Sequence, residues 1–153
     1  MFTDEILASA EASVLCWLAT ADAEGRPSVS PKEIFALRAP DEALVAQVMS
    51  PGSVRNVKRN PHVCLSFVDV FAQTGWKIAG TCELILPNAP DFAELEAPLR
   101  PRAGPTFPIR GIFRIKASGV APIRPPSEVI LPGRDPADVR AGVLKAYGVK
   151  EEL

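Results

Sequence analysis

Short apolar or alternating runs, each closed by a turn signal, constrain this chain more than any other feature. Residues 14–20 (VLCWLAT) are continuously apolar and run into ADAEGRP, whose Asp, Gly and Pro predict a turn and a returning strand. The return, residues 27–37 (PSVSPKEIFAL), alternates, so that Ser28, Ser30 and Lys32 share one face while Pro27, Val29 and Pro31 take the other. Its two prolines cannot donate to a ladder, which predicts an edge or bulged strand. Further strands are expected at 43–49, 62–70, 75–86 and 109–124. In the run 75–86, Trp76, Ile78, Cys82 and Leu84 face one way and Lys77, Thr81 and Glu83 the other. Gly80 there reads equally as a bulge or as a close approach of another backbone. About six strands in hairpin order, with no βαβ alternation, predict a mainly β fold: an antiparallel barrel or sandwich with peripheral helices.

Helices are expected at the periphery. Residues 3–11 carry Thr3 as an N-cap with Asp4 and Glu5 at the positive end of the dipole, and residues 135–148 have Asp135 as cap, Pro136 in first position and Gly148 as stop. The proline-rich stretch 87–108 predicts an irregular excursion over the surface, with one possible helical turn at DFAELEA.

A chain of 153 residues is long enough for one domain, expected over 1–153, and 47% hydrophobic with 23% charged residues excludes a disordered chain. Seventeen basic against eighteen acidic residues give a net charge of −1, so no whole-molecule field recruits nucleic acid or an anionic membrane. The cluster Arg100, Arg102, Arg110, Arg114 and Lys116 is interrupted by prolines and has no aromatic stacking pair, which reads as a basic rim rather than a nucleic-acid site. The acidic start MFTDEILASAEASV shows no secretory or transit signal and no apolar run is long enough to span a membrane, so a cytoplasmic location is expected. Cys16, Cys64 and Cys82 are odd in number, widely spaced and set in apolar runs, and read as buried reduced thiols.

Local chemistry concentrates in two places. In MSPGSVRNVKRNP (49–61), Ser53 is a candidate cap for a helix over about 54–60, with Val54 and Val57 as its apolar stripe. Its start, with Ser53 and Arg55, is suited to an anion. The row Ser28, Ser30, Lys32 offers two hydroxyls and an ammonium that also suit a phosphate, or alternatively form a solvated strand face.

Three stretches taken together, LATxDxxGxPxxSPK at 18–32, RNxxxNPxVxLxF at 55–67 and GxxxxGxxE at 75–83, resemble the pyridoxamine 5′-phosphate oxidase-like family of flavin-binding split barrels. The resemblance covers roughly residues 10–86. It implies a homodimer of split β-barrels with FMN at the subunit interface and a small-molecule substrate. By position, it implies that Ser28, Val29, Ser30 and Lys32 line flavin and phosphate, and that Ser53, Val54, Arg55 and Asn56 form the helix-start phosphate segment. Trp76 and Lys77 match the strand that reaches the flavin, in many members from the second subunit. Lys77, or a backbone N–H near the ring, is the implied donor toward negative charge on reduced flavin. Ser53 stands where many members have a basic residue, and Lys77 where many have glutamine. The C-terminal arginine-and-histidine substrate motif of authentic pyridoxamine phosphate oxidases is absent from residues 121–153. The implied function is therefore an FMN-dependent oxidoreductase acting on another substrate. A deazaflavin in place of FMN, and a protein that holds flavin or haem without turnover, are the alternatives; His62 is the only histidine available to haem iron.

Overall fold

In the computed structural model, which describes residues 1–150, seven antiparallel strands form one curled half-barrel sheet. In chain order they are β1 (Cys16–Ala21), β2 (Pro27–Lys32), β3 (Phe35–Arg38), β4 (Glu42–Gln47), β5 (His62–Asp69), β6 (Thr74–Ile85) and β7 (Gly111–Ile123). Their order across the sheet is β2-β1-β5-β6-β7-β4-β3. The mainly β, barrel-like expectation holds. The run 27–37, expected as one strand, is two: the chain leaves β1 after Lys32 and pairs next with β4, through β3, so the two pieces form opposite edges of the sheet. The backbone between them is fixed from β4, where Ala46 N–H donates to the Ile34 carbonyl at 2.9 Å.

Alternation makes the concave face apolar. Cys16, Leu18, Phe35, Val45, Leu65, Phe67, Ile78, Phe113 and Ile115 form the main core. Helix α1 (Asp4–Ala12) closes it with Ile6 and Ala10, and Thr3 caps that helix by accepting from Ile6 N–H at 3.4 Å. Each fully buried Phe or Leu contributes ~1.5–3 kcal/mol relative to exposure. Cys16 and Cys82 are buried as expected, whereas Cys64 is only half-buried, because its position on β5 points to the convex face.

Residues 87–108 are not the irregular surface excursion expected. They fold into α3 (Phe92–Glu96), a 3₁₀ turn (Ala97–Leu99) and α4 (Arg100–Ala103), which place Phe92, Leu95 and Leu99 against Leu44, Ala46 and Ile112 as a second core. Strand β4 is thereby buried on both faces. Prolines at the first turn of a helix cost no hydrogen bond, so a proline-rich sequence is compatible with these short helices. After β7 come α5 (Pro126–Ile130) and α6 (Pro136–Tyr147), the last with Asp135 and Gly148 as its caps and with Tyr147 edge-on to Phe71. Helix α2 itself (Pro51–Val57) links β4 to β5.

Gly80 satisfies both readings of it. The register of β6 against β7 shifts between Ala79 and Gly80, and a Cβ at Gly80 would lie 2.2 Å from the Lys116 carbonyl oxygen. Gly80→Ala must therefore push β7 away and is expected to lower the melting temperature by at least ~5 °C, about 2 kcal/mol. Gly142→Ala in α6, where a Cβ meets nothing within 4 Å, is the control, expected to leave it unchanged or raise it. A calorimetric scan in which both variants melt alike would remove this account of the bulge.

Candidate functional site

Lys32 is the last residue of β2 and pairs with Cys16, whose side chain is fully buried, so the register turns the lysine inward. Only 9% of it is exposed. Its ammonium lies 5.9 Å from the centroid of the Phe113 ring and donates to Ser50 Oγ. Among the described residues no carboxylate pairs with it. Burial pushes its pKa below the ordinary lysine value, and the field of Cys16 acts weakly the other way.

Helix α2 supplies the facing wall. It begins at Pro51, with Ser50 in the N-cap position, and not at the expected Val54 with Ser53 as cap. Pro51 has no N–H to lose and a backbone angle suited to a first turn, so the helix starts earlier. It ends at Val57 rather than about residue 60, where Arg59 and Asn60 N–H both donate to the Asn56 carbonyl, at 2.9 and 2.8 Å. Ser50 makes no side-chain cap; its hydroxyl is turned to Lys32. Ser53 is inside the helix and buried, with its Oγ 3.3 Å from Ser30 Oγ.

Between these walls lies a cleft of about 590 Å³, lined by the polar side chains of Ser28, Ser30, Lys32, Ser50 and Ser53 and by the apolar ones of Ile34, Ala46, Val48, Met49 and Phe107. The volume falls within the range of small-molecule sites, and a cation, hydroxyls and apolar side chains lining one cleft suit an anionic ligand with an apolar body. Glu33 borders it as an exposed side chain. Ser28, Ser30, Lys32 and Ser53 are thus brought together on one cleft. Val29, 60% exposed, faces the convex side of the sheet. Val54 packs against the main core, and Arg55 is exposed on α2. Asn56 donates through Nδ2 to Thr20 Oγ1 at 2.9 Å, a bond that ties α2 to β1.

Trp76 and Lys77 do not border this cleft of their own chain. Trp76 is half-buried against the main core and lines a separate recess with Glu5, Ser9 and Arg124. Lys77 is exposed on the convex face, in register with Ser66. His62, at the start of β5, is exposed and also apart from the cleft. Among the described residues, no group of His, Cys, Asp or Glu side chains could hold a metal ion.

Sequence reading missed Ser50, Met49, Phe107 and Arg102 as cleft residues. For Ser50 a signal existed, since Ser-Pro is the usual N-cap and first-position pair. For Phe107 and Arg102 none did, because they arrive from the 87–108 excursion. Cys16 borders the core beneath, and burial pushes its thiol up to about 12, as it does that of Cys82, so neither is a thiolate nucleophile.

A second depression, of about 790 Å³, lies between Arg38, Asp41, Glu42, Glu83, Glu94, Arg114 and Lys116. Here each cation has a carboxylate: Arg38 pairs with Glu42 and Glu94, Arg114 Nε with Glu42 at 2.6 Å, and Lys116 with Asp41 at 2.6 Å. Burial opposes ionisation of Glu42, but the hydrogen bonds of Arg114 and Arg38 outweigh it and hold the carboxyl below its usual range. Its charges are satisfied internally, in contrast to Lys32.

That contrast is testable without any ligand. Lys32→Met keeps the side-chain length over Phe113 and removes a desolvated charge, so the cofactor-free variant is expected to melt ~2–4 °C above the wild type near neutral pH. Because the folded chain holds the Lys32 proton less tightly than the unfolded chain does, the penalty is full below the depressed pKa. It disappears as pH rises through that pKa to the ordinary lysine value, so the advantage of the variant must shrink at alkaline pH. Thermal scans across pH that show the variant less stable throughout would contradict this.

Residues 2–124, from the first helix to the end of β7, match the family pyridoxamine 5′-phosphate oxidase; α5 and α6 lie beyond the match. No curated protein matches the chain significantly. Among solved structures, HupZ of Group A Streptococcus is similar with a TM-score of 0.66 and 22% identity, over 78% of this chain and 92% of that one. An FMN-binding protein from Syntrophomonas wolfei subsp. wolfei gives 0.64 and 14%, over 79% and 88%. HutZ, the haem storage protein from Vibrio cholerae, gives 0.61 and 20%, over 76% and 91%. With the seven-stranded half-barrel and the family match over most of its length, the chain belongs to the pyridoxamine 5′-phosphate oxidase-like family of split-barrel proteins.

Proposed function

We propose that this protein is a cytoplasmic, homodimeric, FMN-binding oxidoreductase acting on a small substrate other than pyridoxamine phosphate, with residues 1–153 as its single domain. Of that range, residues 151–153 lie outside those described. The observation that carries the reading is Lys32: a nearly buried lysine with no carboxylate partner among the described residues, in a cleft lined by four serines. A buried cation of this kind is poorly stabilised by the protein alone and is completed by an anion. FMN, when bound, supplies the electron-transfer chemistry. The chain's own residues bind and orient: Lys32, Ser30, Ser50 and Ser53 take the phosphate, Arg55 adds charge from the exposed side of α2, and the apolar side chains of the cleft exclude water.

The dimer is supported by the convex face. Two rows run across it in register, Pro31-Trp17-Ser66-Lys77 and Val29-Ala19-Cys64-Ala79. Trp17 is 43% and Val29 60% exposed there, an apolar sheet face suited to a second copy. Docking through it would turn Lys77 toward the partner, in keeping with a role for that residue at the partner's flavin. No described helix is long and apolar enough to cross a membrane.

Purified protein is expected to carry flavin absorption, with a copurified cofactor of the mass of FMN. A Soret band would replace this reading with a haem holder, and a deazaflavin mass would change the cofactor. Reduction of bound flavin by a nicotinamide donor distinguishes an enzyme from a holder. Replacing Lys32 and Arg55 together by alanine is expected to weaken FMN binding by more than about tenfold. Unchanged affinity in a fluorescence titration would remove the basis for the phosphate assignment. Trp17→Asp is expected to convert a dimer to a monomer by sedimentation; a wild-type monomer would refute the dimer.

A further inference from the structure

Lys32 is not the only cation at this cleft. Arg102, in α4, borders it as well. Its guanidinium carbon lies 4.3 Å from the centroid of the Phe35 ring, which is fully buried. Nη1 donates to the Ser13 carbonyl at 2.8 Å, and Nη2 donates to the carbonyls of Ala10 at 2.8 Å and Glu11 at 3.1 Å. These carbonyls end α1, so the guanidinium closes the negative end of that helix and fixes α4 against it.

That structural duty does not exhaust the side chain. A guanidinium has five N–H donors. The three bonds leave Nε–H and one Nη1–H without a partner among the described residues. Carbonyl oxygens carry only partial charge, and among the described residues no carboxylate pairs with Arg102. Arg38, Arg100, Arg114 and Lys116 each have one. Arg102 and Lys32 also act on a common point: the fields of both oppose the burial of the thiol of Cys16, which pairs with Lys32 across β1 and β2.

We infer that Arg102 is a second anion-binding residue of this cleft, so that with Lys32 it presents two positive charges and selects a phosphate monoester over a singly charged carboxylate. A phosphate monoester carries about −1.5 to −2 at neutral pH, which two cations match and one does not. The guanidinium is held in advance by Phe35 and the end of α1, so little side-chain freedom is lost when the anion arrives. For flavin this inference rests on the function proposed above; for the anion it rests on the cleft alone.

The test compares FMN with riboflavin, which lacks the phosphate, by flavin fluorescence, in wild type, Arg102→Gln and Arg102→Gln with Ser53→Lys. Wild type is expected to prefer FMN. Arg102→Gln should lose FMN affinity about tenfold or more with riboflavin affinity unchanged. Ser53→Lys, which puts a charge on the same cleft from α2, should restore it. An equal loss for both flavins makes Arg102 a structural tie only and overturns the inference, as does unchanged FMN affinity. If Arg102→Gln does not fold, Arg102→Lys is read instead: a loss of FMN affinity with riboflavin affinity unchanged supports the inference, because a lysine does not reproduce the fixed fork of donors, and an equal or absent loss for the two flavins overturns it. Should wild type bind neither flavin, the flavin reading fails and inorganic phosphate decides the anion. A rise in melting temperature with phosphate, larger than with acetate, in wild type but not in Arg102→Gln supports the inference. No rise, or the same rise in both proteins, overturns it.

Discussion

Everything at the cleft depends on the register of β2 against β1. Lys32 opposes Cys16, Ser30 opposes Leu18 and Ser28 opposes Thr20, which sets lysine and serines on the same side as the core residues of β1. Side chains alternate with a period of two, so a slip by one residue would turn Pro31 and Val29 inward and expose the lysine. What resists the slip is the neighbouring packing: Leu18 and Phe67 are fully buried in the main core that α1 helps to close, and β1 is fixed on its other edge to β5. An edge strand with two prolines thus holds its place through the partner it pairs with, since its own free edge donates little.

Charge is distributed over the two large depressions in opposite ways. Around Glu42 the arginines and the carboxylates neutralise one another and strap β3, β4 and β7 together. Around Lys32 hydroxyls, a ring face and helix-end carbonyls surround the cations. Polar groups of that kind orient a cation without cancelling it. The first arrangement stabilises the sheet; the second stores an electrostatic need that a ligand can meet. The excursion 87–108 serves both, burying Phe92, Leu95 and Leu99 in a second core while returning Arg102 to the first helix.

Much of this was legible in the chain. Alternation and turn residues were enough for an antiparallel, barrel-like sheet, for the face shared by Ser28, Ser30 and Lys32, and for both capped terminal helices. The errors have local causes. Periodicity carries through Glu33 and Ile34, so nothing marks where β2 stops pairing with β1 and β3 begins with β4. Ser53 has the chemistry of a cap, but Pro51 moves the helix start to Ser50 and leaves Ser53 to face Ser30. Cys64 sits in an apolar run like the other two cysteines, yet lies on the convex face.

By itself the sequence determined the fold class, the family pattern and one row of the cleft, because these depend on periods and motifs carried within short stretches of chain. Only the tertiary structure decided which residues face that row. Ser50 and Ser53 reach it through the start of α2, and Arg102 and Phe107 through an excursion whose path is set by a second core. It also decided which cations are neutralised, since pairing depends on distance in space and burial, and a sequence with nearly balanced charge is compatible with either outcome.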